Sequence, residues 1–277
     1  MIKIAVLLTV HDRKEKTIKC LNCLYASVIP EEYAFDVYLT DDGCTDGTPL
    51  AVAEKYPDVK VLKGDGNLYW AGGMRLAWTE AAKNDYDYYL WLNDDTYIFE
   101  NALASILMAA NDTSDKAVLT GATKSAVTGY CTYGLIINEK KVVPNGRLQE
   151  GYGLNGNFVL ISREVFNKLG NMDRHYRHAG GDIHYGLLAK RKGVKVYLIG
   201  EYIGTCEGHE KLDKWADPDV PFLERWKNLN RPNGMPLGIL FYQQRTFYGL
   251  PIAIFHTFTT MFRCCFPKLF MAIKSKK

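Results

Sequence analysis

The feature that most constrains the fold is an alternation of short apolar runs with helical patterns through the first 110 residues. Continuous apolar runs predict buried strands at 2–9, 35–40, 59–63 and 88–92. Segments with helical periodicity follow these runs and predict helices at 14–26, 48–55, 71–82 and 101–110. Strands that alternate with helices predict an α/β fold with a mostly parallel sheet flanked by helices.

The rhythm changes after residue 116. Apolar runs between Gly-rich turns predict strands at 117–121, 134–138, 157–162 and 195–199. Short helices are predicted at 163–169 and 182–191. Because no internal repeat or low-complexity linker interrupts the chain, we predict one continuous domain over residues 1–230.

Composition excludes several classes of protein. Hydrophobic residues make up 47% of the 277 residues, which is enough for a sizeable core and argues against general disorder. The net charge of +3 gives no overall field for nucleic acid, so no nucleic-acid partner is expected. Seven cysteines without a disulfide framework indicate a reducing compartment, and we expect a cytoplasmic protein.

The C-terminal segment, residues 231–277, combines aromatic side chains with basic ones. No Asp or Glu occurs beyond Lys227. This pattern predicts a helical segment lying on an anionic lipid surface, since no apolar run reaches the roughly 20 residues that span a bilayer. The alternative is a helix that packs on the rest of the chain or on a second copy in a homodimer.

The strongest local motif is Asn93-Asp94-Asp95, which directly follows an apolar strand. Adjacent carboxylates repel each other unless a cation or hydrogen-bond donors neutralise them. A hard divalent ion, Mg²⁺ or Mn²⁺, would do this and could also bridge a diphosphate. A solvated turn or a helix N-cap is the structural alternative.

Two further turns follow strands on the same predicted edge. Thr40-Asp41-Asp42-Gly43 could accept hydrogen bonds from a pyrimidine base or a ribose, although a simple β-turn has the same composition. The stretch from Gly64 to Arg75 is rich in glycine, which permits close backbone approach to a ligand. Arg75, near a helix start, could meet a phosphate.

Four motifs together resemble the family-2 glycosyltransferases, which have the GT-A fold with a Rossmann-like sheet. The similarity is greatest to bacterial rhamnosyltransferase-like members that build surface polysaccharides, and it spans about residues 2–210. The order of the four motifs along the chain carries the resemblance. The motifs are Thr9-Val10-His11-Asp12-Arg13, Asp41-Asp42-Gly43, Trp70-Ala71-Gly72-Gly73-Met74 and Asn93-Asp94-Asp95-Thr96.

The resemblance implies a role for each motif. It implies a nucleotide-binding half at residues 1–115 and an acceptor half at 116–230. Asp95 matches the metal ligand, and Asn93 stands where many members have an acid. The residues expected at the nucleotide are Thr9, His11, Arg13, Asp42, Gly43, Asn67, Trp70, Gly73, Arg75 and Asp94.

The catalytic base is expected later in the chain. Asp182, at a predicted helix start, matches the family's base, and Gly181 replaces the acid that usually precedes it. An N-cap role for Asp182 is compatible with this. His209 matches a late histidine that meets the metal or pyrophosphate in some relatives, and a surface histidine is the alternative.

The implied reaction is single-displacement, inverting transfer from a UDP- or dTDP-sugar to a hydroxyl of a glycan or lipid-linked acceptor. Two alternatives stay open. A sugar-phosphate nucleotidyltransferase would normally carry a basic, Gly-rich N-terminal loop, whereas His11-Asp12-Arg13 follows the first strand here. A non-catalytic carbohydrate-binding protein on the same fold is the other, because Asn93 and Gly181 replace acids.

Overall fold

The computed structural model describes residues 1–208 and 213–274. The strands are β1 (Ile2–Val10), β2 (Tyr33–Asp41), β3 (Lys60–Lys63), β4 (Tyr88–Leu92), β5 (Tyr97–Ile98), β6 (Ala117–Lys124), β7 (Cys131–Tyr133), β8 (Leu135–Ile137), β9 (Lys140–Lys141), β10 (Gln149–Glu150), β11 (Gly153–Leu154), β12 (Phe158–Ser162) and β13 (Lys195–Thr205). The helices are α1 (Lys14–Tyr25), α2 (Thr48–Lys55), α3 (Tyr69–Ala81), α4 (Ala102–Asp112), α5 (Arg163–Leu169), α6 (Gly181–Arg191), α7 (Phe222–Leu229), α8 (Leu237–Tyr248), α9 (Leu250–Cys265) and α10 (Pro267–Lys274).

The main sheet has the strand order β10-β13-β6-β12-β4-β1-β2-β3, with β5 and β7 attached to β13 and β6. Strands β3, β2, β1 and β4 are mutually parallel, as the alternation with helices predicts. Strand β12 runs antiparallel between β4 and β6, while β6 and β13 are parallel to each other. The α/β class and the mostly parallel core of the sheet are thereby confirmed.

The insertion of β12 determines what lies at the functional edge of the sheet. Phe158, the first residue of β12, pairs with Leu92, the last residue of β4. Just beyond this pair, the Asn93 N–H donates to the Asn157 carbonyl at 3.0 Å. The segment before β12 therefore lies beside the turn after β4, at the edge where ligands of open α/β sheets bind.

Helices cover both faces of β4. Because successive side chains of a strand point to opposite faces, Tyr88, Leu90 and Leu92 join the core cluster that includes residues of α1 and α4. Tyr89 and Trp91 point the other way, where Trp78 of α3 is the centre of an aromatic cluster. Its ring lies 5.0 Å from Phe166 and 5.6 Å from Tyr185, measured between centroids.

The structure differs from the sequence prediction mainly in the second half. Gly134, at φ 138°, separates β8 from β7, so that β7 ends before it and β8 begins after it. The predicted strand 134–138 thus corresponds to β8 alone, and β7 was not predicted. The predicted strands at 117–121 and 195–199 continue to Lys124 and Thr205. Helix α7, which begins after Pro221, was not predicted, although Phe222, Trp226 and Leu229 recur at helical spacing in its eight residues.

The described residues form two compact units, one of residues 1–174 and 180–208, the other of 175–179 and 213–274. Helices α7 to α10 belong to the second unit. Buried Arg225 joins α7 to the end of α9, because its guanidinium donates to the carbonyls of Cys264 at 2.8 Å and Cys265 at 3.2 Å. A small core of Trp215, Ala216, Leu229 and Cys264 lies there. Among the described residues, no helix is long and apolar enough to cross a bilayer.

Trp78 provides a test of the aromatic cluster. Its side chain is fully buried, and its indole N–H has no hydrogen-bond partner among the described residues. We expect Trp78→Ala to lower the free energy of unfolding by about 3–5 kcal/mol, because it leaves a cavity. Trp78→Phe keeps a ring and removes an unpaired donor, so its cost should be smaller. Urea unfolding followed by far-UV circular dichroism measures both, and equal costs would contradict the cavity explanation.

Candidate active site

The two carboxylates after β4 share one cation. Arg13, just after β1, places its Nη1 atom 3.1 Å from Asp94 Oδ1 and 2.9 Å from Asp95 Oδ2. The acid pair is therefore neutralised in part by the protein itself, and a metal ion is not its only source of positive charge. Sequence reasoning assigned Arg13 to the border of the base and missed this contact.

Asp94 is the more buried of the two acids. Burial raises the pKa of its carboxyl to about 6, against the opposing effect of Arg13. Its Oδ2 atom is buried without a hydrogen-bond partner among the described residues. Because a buried polar atom normally has a partner, this oxygen fits a site that a bound ligand or ion completes.

Asp95 is less buried and has an unpredicted neighbour. The Cys206 thiol, just after β13, lies 3.7 Å from Asp95 Oδ1. Burial raises the pKa of Cys206 to about 12, so the thiol remains protonated at neutral pH. Asn157 Nδ2 donates to Cys206 at 3.5 Å and to the Thr96 hydroxyl at 3.2 Å. The end of β13 is thus part of the acid site.

Asp42 organises the glycine-rich turn before α3. Its carboxylate accepts the backbone N–H groups of Gly66 at 2.9 Å, Leu68 at 3.1 Å and Tyr69 at 2.7 Å. The His11 ring donates from Nδ1 to the Asp42 carbonyl at 2.7 Å. The sequence-predicted residues His11 and Asp42 are therefore adjacent, and the structure shows Asp42 in a positioning role.

The glycines near this turn allow close packing. Gly43 has φ 78°, and a Cβ atom there would lie 2.9 Å from the Gly66 Cα. A Cβ on Gly73 would overlap the Thr9 side chain, so Gly73 lets α3 approach β1. Asn67 is exposed at the turn. The structure thus brings Thr9, Gly43 and Gly73 to one region through packing, and their contact with a nucleotide stays a prediction.

Arg75 is directed to another loop of the same unit. Its Nη1 atom donates to the Asp173 carbonyl at 3.3 Å, and burial lowers the pKa of its guanidinium. The Asp173 carboxylate lies 3.5 Å from Nε2 of buried His184. The phosphate contact expected of Arg75 stays a prediction.

Trp70 connects the acid site to Asp182. Its indole N–H donates to Asn93 Oδ1 at 2.6 Å, and a Cβ atom on Gly156 would overlap its ring. The Gly156 N–H in turn donates to Asp182 Oδ2 at 3.0 Å. Residues 93 and 182, which are distant in sequence, are thereby held on either side of one tryptophan.

Asp182 lies in the first turn of α6 and is partly buried. Its Oδ1 atom accepts the Ile183 N–H at 2.8 Å, in addition to the bond from Gly156. Burial raises the pKa of the Asp182 carboxyl, while these two N–H donors oppose the rise. A carboxylate whose pKa is raised by burial is a stronger proton acceptor than an ordinary aspartate.

Hard oxygen atoms suited to a divalent cation are present at the acid site, namely the unpaired Asp94 Oδ2 and the carboxylate of Asp95. His209, the other predicted metal ligand, lies outside the described residues. Within the described ranges, one group of three ligand-type residues occurs, Asp12, Cys44 and Asp46. The carboxylates of that group accept the backbone N–H groups of Thr45, Lys14 and Thr48. These hydrogen bonds explain the cluster as part of the loop structure without a metal ion.

Comparisons with known proteins identify the family of the chain. The sequence model of Glycosyl transferase family 2 matches residues 5–170, more than half of the chain. No match was found among curated proteins.

Solved structures share the fold. The mannosyltransferase PcManGT from Pyrobaculum calidifontis, in complex with GDP-Man and Mn²⁺, is 16% identical with a TM-score of 0.56, over 91% of this chain and 72% of that one. S. aureus TarS 1-349 is 16% identical with a TM-score of 0.57, over 89% and 73%. Its complex with UDP-GlcNAc is 17% identical with a TM-score of 0.55, over 89% and 73%.

The resemblance that the four motifs indicate is therefore confirmed. The chain is a glycosyltransferase of family 2 with the GT-A fold.

Proposed function

We propose that this glycosyltransferase moves a sugar from a nucleotide diphosphate sugar to an acceptor hydroxyl with inversion, in the synthesis of a cell-surface polysaccharide. The observation that carries the proposal is the connection from Asn93 through Trp70 and Gly156 to Asp182. It holds one carboxylate that can act as a base beside a pair of acids that can act on a diphosphate. No second carboxylate with the role of a nucleophile is needed.

We propose that the donor binds at the edge formed by the ends of β1, β2 and β4. We assign the nucleotide to Thr9, His11, Asp42 and the turn that Asp42 holds. The similar solved structures contain GDP-Man and UDP-GlcNAc, which carry different nucleobases. For this chain, the sequence motifs favour UDP or dTDP as the nucleotide.

A divalent cation, Mg²⁺ or Mn²⁺, is proposed at the acid site. Asp95 would hold it, with the unpaired Oδ2 atom of Asp94 nearby, and His209 is a further proposed ligand. When bound, the ion neutralises charge on the leaving diphosphate. Arg13, which already contacts both acids, adds a permanent positive charge at the same place.

Asp182 is the proposed general base. Its carboxylate takes the proton of the acceptor hydroxyl as the hydroxyl oxygen attacks the anomeric carbon. The bond from that carbon to the diphosphate oxygen breaks at the same time. The two backbone donors to Asp182 fix the orientation of the carboxylate.

The acceptor is proposed to be a glycan or a lipid-linked glycan, met at the inner face of the cell membrane by a cytoplasmic enzyme. Support comes from the second unit, whose helices expose large apolar side chains. Helix α9 buries Ala253 and Cys264 and exposes Ile254, Phe255 and Phe258. Helix α10 exposes Leu269, Met271 and Ile273. The segment carries basic residues but no acid beyond Lys227, which complements an anionic lipid surface.

The metal and donor sites can be tested by ligand-induced stabilisation. With Mn²⁺ present, we expect one of UDP, dTDP, GDP or their sugars to raise the melting temperature, because a ligand that binds the folded state stabilises it. Asp95→Asn should abolish the Mn²⁺-dependent part of the shift. Asp85→Asn, the same change at an exposed residue, should keep it. Absence of a shift with every nucleotide would contradict donor binding.

Asp182→Asn tests the base. We expect it to lower kcat by about 10²–10⁴-fold while the donor still raises the melting temperature, because only proton transfer is lost. Asp85→Asn is again the matched control.

The pH profile of the wild type gives a second test of Asp182. The base must be ionised to act, and burial raises its pKa. Activity should therefore fall as the pH decreases through a value above that of an ordinary aspartate. Wild-type transfer that is independent of pH throughout the acidic range, or full activity of Asp182→Asn, would exclude Asp182 as the base.

Membrane contact is tested by flotation with lipid vesicles. Wild type should bind vesicles that contain phosphatidylglycerol more strongly than vesicles of phosphatidylcholine alone. The double variant Phe255→Ser and Phe258→Ser should reduce binding by at least about tenfold, because two large apolar side chains no longer enter the lipid.

The matched control is Leu50→Ser with Met108→Ser, which removes two exposed apolar side chains from the first unit. This control should bind like the wild type. If both double variants bind equally well, the contact does not involve α9, and a concentration-dependent change in molecular mass would instead indicate a homodimer.

A further inference from the structure

One guanidinium nitrogen serves both acids of the site. Arg13 Nη1 lies at hydrogen-bond distance from Asp94 Oδ1 and from Asp95 Oδ2. The Asp94 side chain is 7% exposed, whereas the Arg13 side chain is 45% exposed. The buried acid is thus paired with a cation that solvent can reach.

This arrangement answers an energetic problem. A buried carboxylate without a partner is costly, and two adjacent ones are more so. A divalent cation would solve the problem only when it is bound. Arg13 solves it in the absence of any ion, because it is covalently part of the chain and always charged.

The same contact opposes a divalent cation. An ion held by Asp95 near Asp94 would lie within a few ångströms of the guanidinium, and like charges at that distance repel. Either the guanidinium withdraws toward solvent, which its exposure permits, or the ion binds against its charge. The free energy of ion binding is reduced in both cases.

We propose that Arg13 is a built-in counter-ion that holds Asp94 and Asp95 together without metal and competes with the divalent cation for them. The inference rests on the cation site of the proposed function. It gives Arg13 a positioning role distinct from contact with the nucleotide base. It also implies that the ion binds weakly by itself and gains affinity when a diphosphate brings compensating negative charge.

Lys16 provides a matched control. It is exposed on α1 and acts on Asp94 through its charge at a distance, without a hydrogen bond to either acid. Lys16→Gln therefore removes one positive charge from the same neighbourhood but leaves the contact intact. Arg13→Gln removes both the charge and the contact.

The test is a titration of the nucleotide-free protein with Mn²⁺, in which electron paramagnetic resonance measures the free ion. Arg13→Gln should bind Mn²⁺ at least about tenfold more tightly than the wild type, because one unit of charge is removed at close range. Lys16→Gln should change the affinity by less than about threefold. Without Mn²⁺, Arg13→Gln should melt at a lower temperature than Lys16→Gln, and saturating Mn²⁺ should remove this difference.

Each outcome has a separate meaning. Equal Mn²⁺ affinity of Arg13→Gln and the wild type would overturn the role of Arg13 and leave the cation site standing. Absence of Mn²⁺ binding to all three proteins, with UDP or GDP also present, would contradict the proposed cation site itself and with it this inference.

A measurement on the wild type covers the case in which Arg13→Gln does not fold. Nuclear magnetic resonance of the guanidinium groups, with the Arg13 signal assigned from its loss in Arg13→Lys, should show slowed rotation about the Cζ–Nη bond. Diamagnetic Mg²⁺ at saturation should change that signal. An Arg13 signal that Mg²⁺ leaves unchanged would contradict the competition.

Discussion

The site depends on one main-chain contact, the hydrogen bond from the Asn93 N–H to the Asn157 carbonyl. It exists because β12 enters the sheet antiparallel to β4, so that the start of one strand meets the end of the other. Without this pairing, the acids after β4 and the segment before β12 would lie at opposite edges. Through Gly156, the same contact brings Asp182 of α6 to the acid site.

Charge compensation is the second principle of the site. The Asp42 carboxylate accepts backbone N–H groups of the turn before α3. Asp94 and Asp95 instead accept hydrogen bonds from the long side chain of Arg13. A carboxylate bound to backbone donors is fixed, while one bound to an exposed arginine can exchange its partner. We therefore propose that Asp42 positions the turn before α3, whereas Asp94 and Asp95 can exchange Arg13 for a ligand.

The sequence was sufficient for most of the first half of the fold, where the longer elements are determined by local pattern. Strand β4 and helix α2 begin and end at the predicted residues, and so does α5 in the second half. The direction of β12 could not be predicted, because a run of five buried residues fits either orientation and its partners lie far away in the chain.

The site was predictable only in part, because local sequence pattern does not report contacts between residues that are distant in the chain. Polar residues after strands indicated Asp42 and Asp95. The contacts of Arg13 span more than 80 residues, and the approach of Cys206 to Asp95 spans 111, so no local pattern reports them. Gly73 was expected to admit a ligand, yet the structure shows Thr9 against it, because glycine permits either kind of close approach.

The central claim is that the acids after β4 hold a cation and a nucleotide diphosphate. The most direct measurement is anomalous X-ray scattering from a crystal of the full chain grown with Mn²⁺ and the nucleotide that it binds. We expect a manganese peak at coordination distance from an Asp95 carboxylate oxygen, with the diphosphate bound to the same ion. A peak at Asp12, Cys44 and Asp46 instead, or a diphosphate bound away from Asp95, would contradict it.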